Sequence, residues 1–210
     1  MDMTSRVPDW LTPVAWTYLA ASLLSAGYLA VVLLRRGRRG HPATALVWVT
    51  AALYLGPAAV VLHHRYGGRD DADRPRGLGG LPGGGASALA HLVGVPLVVA
   101  SGVTIAGIDL WVMILTIGVL AIALLFAYER VVTRGGSTPA VAATAAVATV
   151  LAFDVGMGGW MVLLHYNAFM PPATAGTFWF LMQLGILLGL VTAYPAVAWL
   201  HRRGSAAVAV

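Results

Sequence analysis

The chain has 210 residues, 59% hydrophobic and only 10% charged, and its 13 arginines against eight acids give a formal net charge of +5. Soluble domains carry roughly a quarter charged residues, so too few remain here to cover a water-facing surface, and a soluble globular protein is excluded. Cysteine is absent, which removes disulfides, thiolate metal sites, iron–sulfur clusters and cysteine nucleophiles.

A membrane-spanning helix needs about 20 predominantly apolar residues. The first such run, predicted at 10–34, carries no charge and ends in the basic turn Arg35-Arg36-Gly37-Arg38-Arg39. Thr12-Pro13 supplies an N-cap and a first-turn proline. Its length exceeds the usual 7–15 apolar residues of a cleavable signal peptide, so it is expected to be a true first span. A second span is expected at 42–64, stopping at His63-His64-Arg65. Composition then shifts: Tyr66–Gly85 holds eight glycines, two prolines, three Asp and three Arg, and 66–85 reads as a flexible, exposed loop.

Spans three and four are expected at 87–107 and 109–128, joined by a tight turn at Gly107-Ile108-Asp109. Thr138-Pro139 again pairs a cap with a first-turn proline and opens a fifth span at 139–166, which Pro171-Pro172 prevent from continuing. The sixth is expected at 177–200 and ends in His201-Arg202-Arg203. The fold class is thus all-α, a single polytopic membrane domain of about six transmembrane helices. Six spans place nine arginines on the side of the termini and four on the other, and the positive-inside rule puts both termini in the cytoplasm. The four abut the first two spans, and the first helix alone votes the other way.

Asp154 is the most informative residue. It falls some 15 residues after Pro139, about 22 Å along a helix axis and within a hydrocarbon core about 30 Å thick. A carboxylate there is expected to face the bundle interior, either titrating a proton or coordinating a cation. The alternative is a neutral carboxyl hydrogen-bonded to a neighbouring helix, with Gln183 as candidate partner. Gly158 shares the face of Asp154, while Gly156 and Gly159 lie on the opposite face and offer close helix packing. Gly185 and Gly189 form a GxxxG pair with the same use. His165, three turns beyond Asp154 on its face, is about 16 Å away and points toward one exit. His63, His64, His91 and His201 fall toward the long-loop side. They are weak metal candidates, because no HxxxH or HExxH spacing occurs and interfacial histidines commonly serve as anchors.

Pro57-Ala58, Leu62-His63 and Arg65 recur at identical spacing as Pro195-Ala196, Leu200-His201 and Arg203, which reads either as a degenerate parallel repeat or as chance in an Ala/Val/Leu-rich chain. No GxGxxG after a strand, GxxxxGK[ST] or GxSxG is present, so nucleotide chemistry and serine hydrolysis have no support.

Ala152-Phe153-Asp154-Val155-Gly156-Met157-Gly158-Gly159-Trp160-Met161 and Phe178-Trp179-Phe180-Leu181-Met182-Gln183-Leu184-Gly185, continuing to Thr192-Ala193-Tyr194-Pro195, resemble the DUF4396 family of bacterial integral membrane proteins. Ala51–Pro57 and Arg65-Tyr66-Gly67 are similar to that family's N-terminal part. The resemblance implies a fold but no activity. It also implies a His-Cys-x-x-x-Cys element at the third span. His91 matches its histidine, and Leu92 and Pro96 stand where the cysteines would, so any metal or redox use of that element is lost here.

The functional expectation is a multi-pass protein of the cell inner membrane acting as a transporter of protons or a small cation. Asp154, Gln183 and His165 would form its polar core. The alternative from a different class is a structural or assembly subunit that transports nothing. No catalytic constellation supports an enzyme, and no cofactor is evident. The expected partners are the lipid bilayer and either further copies of the chain or another membrane protein. The basic balance does not indicate nucleic acid, because the arginines sit between apolar runs rather than on one charged face.

Overall fold

The computed structural model describes residues 6–35, 42–68, 75–132 and 138–202, without the side chains of Arg76 and His201. Seven α-helices and one 3₁₀ turn make up the described chain: α1 Leu11–Arg35, α2 Pro42–Leu55, α3 Pro57–Tyr66, the 3₁₀ turn Arg76–Gly80, α4 Leu81–Ser101, α5 Asp109–Val132, α6 Pro139–Tyr166 and α7 Gly176–Arg202. Five stretches are long and apolar enough to cross a membrane: α1, α4 with its preceding 3₁₀ turn, α5, α6 and α7. Leucines and valines on their outer faces stay uncovered, as with Leu24, Val155 and Val191 at 75%, 71% and 72% exposure. Lipid supplies the missing contacts on such a surface. The protein is an all-α, polytopic membrane bundle.

The predicted second span is not one continuous helix. It is broken into α2 and α3 at Gly56, whose backbone (φ 57°, ψ −136°) lies where side chains are strained. Pro57 has no N–H, so the Leu53 carbonyl four residues back loses its helical donor. In an apolar medium a bare carbonyl is costly, and two side chains cover the break. Gln183 Nε2 donates to the Leu53 carbonyl at 2.6 Å. The Tyr18 hydroxyl donates to the Tyr54 carbonyl at 2.8 Å. Alone, α2 has 14 residues and spans about 21 Å, whereas α2 and α3 in succession match a bilayer core.

The glycine-rich stretch also departs from its sequence reading. The chain turns helical at Arg76, and Gly83, Gly84 and Gly85 are buried in the first turns of α4 rather than lying in a loop to 85. A Cβ on Gly84 would sit 2.6 Å from the Tyr54 hydroxyl, and one on Gly85 would collide with Thr50 Oγ1. Glycine here permits close approach of α4 to α2, a use that composition cannot distinguish from flexibility. Residues 69–74 of that loop lie outside the described residues.

Helix α4 starts and stops six residues earlier than the predicted third span. It is ended by Gly102 in the left-handed conformation (φ 64°), whose N–H bonds the Val98 carbonyl at 3.2 Å. A two-residue turn at Ala106 and Gly107, both at positive φ and closed by the Ile105–Ile108 bridge, then leads into α5 at Asp109. Thr138 caps α6 through its side chain, which accepts from the Val141 N–H at 3.3 Å with Pro139 in the first turn.

Helices α6 and α7 form the most extensive contact, followed by α4–α5, α1–α2 and α5–α6, and an α1–α7 contact closes the bundle. The core is filled by Leu29, Trp48, Tyr54, Leu110, Leu125, Met157, Met161 and Met182, all 2% exposed or less.

Candidate functional site

Asp154 sits in the middle of α6, half-buried between buried Phe153 and outward-facing Val155. Its carboxylate turns toward α5, where a Cβ on Gly118 would lie 3.2 Å from Oδ2. A larger residue than glycine at 118 would displace the carboxylate. Among the described residues Asp154 makes no hydrogen bond or ion pair. One turn on, Gly158 is buried, yet an added Cβ would meet nothing within 4 Å. The carboxylate therefore stands beside open space in a predominantly apolar helix.

The expected pairing of Asp154 with Gln183 is not formed. Gln183 lies on α7 and its amide N–H is committed to the Leu53 carbonyl at the α2–α3 break, while its Oε1 is buried without a partner. The missing N–H of Pro57 draws the amide there. That competing demand belongs to a third helix and is invisible from the spacing of residues 154 and 183. His165, half-buried in the last turn of α6, packs edge-on against Tyr166 with ring centroids 5.3 Å apart. Its distance along α6 from Asp154, about 16 Å, rules out direct contact.

The histidines are dispersed. His63 is buried edge-on against Trp48 at 5.2 Å. His64 is exposed; its Nδ1 donates to the Val60 carbonyl at 2.8 Å, and its Nε2 is 3.3 Å from the Tyr28 hydroxyl, which donates to it. His91 is buried in α4 with Nδ1 donating to the Ser87 carbonyl at 2.8 Å. The side chain of His201 lies outside the described residues. Among the described residues no three His, Asp or Glu come together in a metal-binding group, so His63, His64 and His91 do not form the site their common side suggests.

The packing glycines separate into two kinds. A Cβ on Gly156 would lie 2.6 Å from the Leu188 carbonyl oxygen, one on Gly189 would enter the Phe153 ring at 2.6 to 2.8 Å, and one on Gly185 would strike the Met157 sulfur. All three sit in the α6–α7 contact, where the Thr192 hydroxyl also accepts from the Gly156 N–H at 3.1 Å. Gly159 instead is exposed and an added Cβ would touch nothing within 4 Å, which corrects its grouping with Gly156. Sequence inspection also leaves Glu129 in a connecting segment, whereas it is 1% exposed near the end of α5. The apolar Val131-Val132 beyond it was the signal that the helix continues.

Fold and polar positions together define a multi-pass helical membrane protein with a few isolated polar side chains inside. Residues 77–205, well over half of the chain, match the family described as domain of unknown function (DUF4396), and the chain belongs to that family. The matched region begins at the 3₁₀ turn and takes in α4 to α7, so the similar residues in Ala51–Pro57 and Arg65–Gly67 precede it. Comparison with curated proteins and with solved structures gives no match.

Proposed function

We infer that this protein moves protons or a small cation across the cell inner membrane, with Asp154 as the group that takes up and releases the charge. The observation that carries the reading is the Asp154 carboxylate, half-buried in the middle of a spanning helix with no hydrogen-bond partner among the described residues. Burying an ionisable group there costs at least about 2.5 kcal/mol, and a purely structural carboxyl would recover that through a hydrogen bond. The open space at buried Gly158 gives a water or an ion room beside it. His165 lies further along the same face toward one end of α6.

Proton or cation flux into proteoliposomes tests the reading. Asp154→Asn keeps the shape and removes the titration, and flux is expected to fall to the background of empty vesicles. Flux that survives the substitution overturns the role of Asp154. A non-transporting subunit of a membrane complex is the second reading. It is favoured by Gln183 and the α6–α7 glycines, which serve helix packing. Absent flux together with a stably co-purifying partner would decide for it.

A further inference from the structure

Laid end to end, α2 and α3 are long enough to cross a bilayer, yet their contacts set a different direction for α3. The Tyr18 hydroxyl donates to the Tyr54 carbonyl at 2.8 Å, and a Cβ on Gly56 would lie 3.2 Å from Ser22 Oγ, so the break is level with residues 18–22 of α1. Eight residues on, the His64 ring stacks on Tyr28 with centroids 5.9 Å apart, and its Nε2 accepts from the Tyr28 hydroxyl at 3.3 Å. Tyr28 lies about 9 Å beyond Ser22 toward the Arg35 end of α1, and His64 about 12 Å beyond Gly56 along α3. Had α3 continued the course of α2 away from Arg35, more than about 20 Å would separate the two rings. Trp48 and His63 give the same answer. They lie eight residues before and seven after Gly56, so a continuous course would hold them about 22 Å apart. Their rings instead meet edge-on at 5.2 Å, which requires the two arms to lie side by side.

Helix α4 sets out from the face that α2 entered. A Cβ on Gly80, just before α4, would lie 3.2 Å from Leu190 late in α7, whereas Gly176, which opens α7, lies against the Trp16 ring near the start of α1. Helices α4 to α7 then alternate in direction, and the Arg6 backbone N–H donates to the Ala168 carbonyl at 2.8 Å, joining the start of α1 to the end of α6. By chain order this course puts the four arginines of 35–39, the four of 65–76, Arg130, Arg134, Arg202 and Arg203 on one face and Arg6 alone on the other, twelve against one. A six-span course divides them nine to four. The arginine count owes nothing to the ring contacts, and an asymmetry of that size marks a cytoplasmic face.

We propose that α2 and α3 form a re-entrant hairpin, which enters from the arginine-rich cytoplasmic face and turns back at Gly56-Pro57. The chain then crosses the membrane five times, with the residues before α1 outside and those after α7 in the cytoplasm, in place of the shared side that six crossings give. Backbone turned at membrane depth is tolerated where protein buries it. Here the Leu53 and Tyr54 carbonyls at the tip are covered by Gln183 and Tyr18. Leu53 and Tyr54 also form one wall of a cavity of about 320 Å³, whose far wall includes Thr174, Gly176 and Trp179 at the opposite end of the bundle. The hairpin tip stands between that cavity and the arginine-rich face.

Single cysteines test the proposal in the full chain, labelled with an impermeant maleimide in intact cells and in inverted membrane vesicles. Gly37→Cys lies between α1 and α2, Gly68→Cys follows α3 where an added Cβ meets nothing within 4 Å, and Val103→Cys lies in the exposed turn after α4. Positions 37 and 68 are expected to react only in inverted vesicles, and position 103 only in intact cells. Reaction of 37 and 68 from opposite faces, or of 68 and 103 from the same face, would overturn the hairpin. Reaction of 37 and 68 together from outside would keep the hairpin and overturn its cytoplasmic entry. The readout does not involve flux, so its outcome is independent of the role of Asp154.

Discussion

Four glycines of similar appearance in sequence have opposite physical roles, and substitution separates them. At Gly156 and Gly189 an added methyl meets a backbone carbonyl and the face of a phenyl ring, neither of which can withdraw cheaply. Gly156→Ala and Gly189→Ala are expected to destabilise the bundle by about 1–3 kcal/mol each through overpacking. Gly159→Ala meets nothing and replaces a poor helix former, so it should be neutral or stabilising by up to about 1 kcal/mol. Thermal unfolding in one detergent orders the three, and a Gly159→Ala loss comparable to the others would contradict the assignment. Gly158 is a third kind, buried and unopposed. Gly158→Ala should leave the melting temperature nearly unchanged while lowering any Asp154-dependent flux, because its methyl takes up space beside the carboxylate. Position along α6 or α7 was legible in the sequence for all of them. The neighbour each one meets was not, because helical periodicity gives an angle about the axis and not what lies across from it.

At the scale of elements, the α2–α3 break explains both what was legible and what was not. Gly56-Pro57 is visible as an interruption in an apolar run, yet a proline inside a spanning helix commonly leaves only a kink. What makes a full break here is the positive φ of Gly56 together with tertiary partners for the freed carbonyls, Gln183 and Tyr18, far away in sequence. Removing one partner should therefore be costly in a way that packing alone does not predict. Gln183→Leu keeps similar bulk and leaves the Leu53 carbonyl bare, an expected loss of about 1–3 kcal/mol in an unfolding titration. Gln183→Glu is nearly isosteric: ionised it has no donor and should cost at least as much, whereas protonated its O–H donates to the Leu53 carbonyl in place of the amide. A Leu variant as stable as the parent would show that the 2.6 Å contact contributes nothing. The capping pair Thr138-Pro139 was by contrast fully readable, since donor and acceptor are three residues apart. Local hydrogen bonds are written in the sequence next to the residues that need them, and long-range ones are not.

For the whole molecule, the number of crossings turns on the same break. Five stretches span by length, and α2 is too short at 14 residues to do so alone. If α2 and α3 cross together, the spans number six and both ends of the chain share a side. If α2 turns back within the membrane, the ends lie on opposite sides. The two halves add to about 36 Å of helix, enough for a core about 30 Å thick even with a bend at Gly56. Length thus allows six crossings, but the packing of His63 on Trp48 and of His64 on Tyr28 turns α3 back, and the outcome expected is five. The absence of cysteine makes the chain its own background for labelling. Single cysteines at Gly37, Gly135 and Ser205 should react with an impermeant maleimide from one side of sealed vesicles, and cysteines at Thr4 and Gly107 from the other. On the positive-inside rule, twelve arginines against one, the first group is expected to be the cytoplasmic one. Labelling of Thr4 and Ser205 from the same face would raise the crossings to an even number and return the arginine count to nine against four. It would also place the α2–α3 break in the middle of a span, where Gln183 would be covering a carbonyl inside a crossing helix instead of at the tip of an insertion.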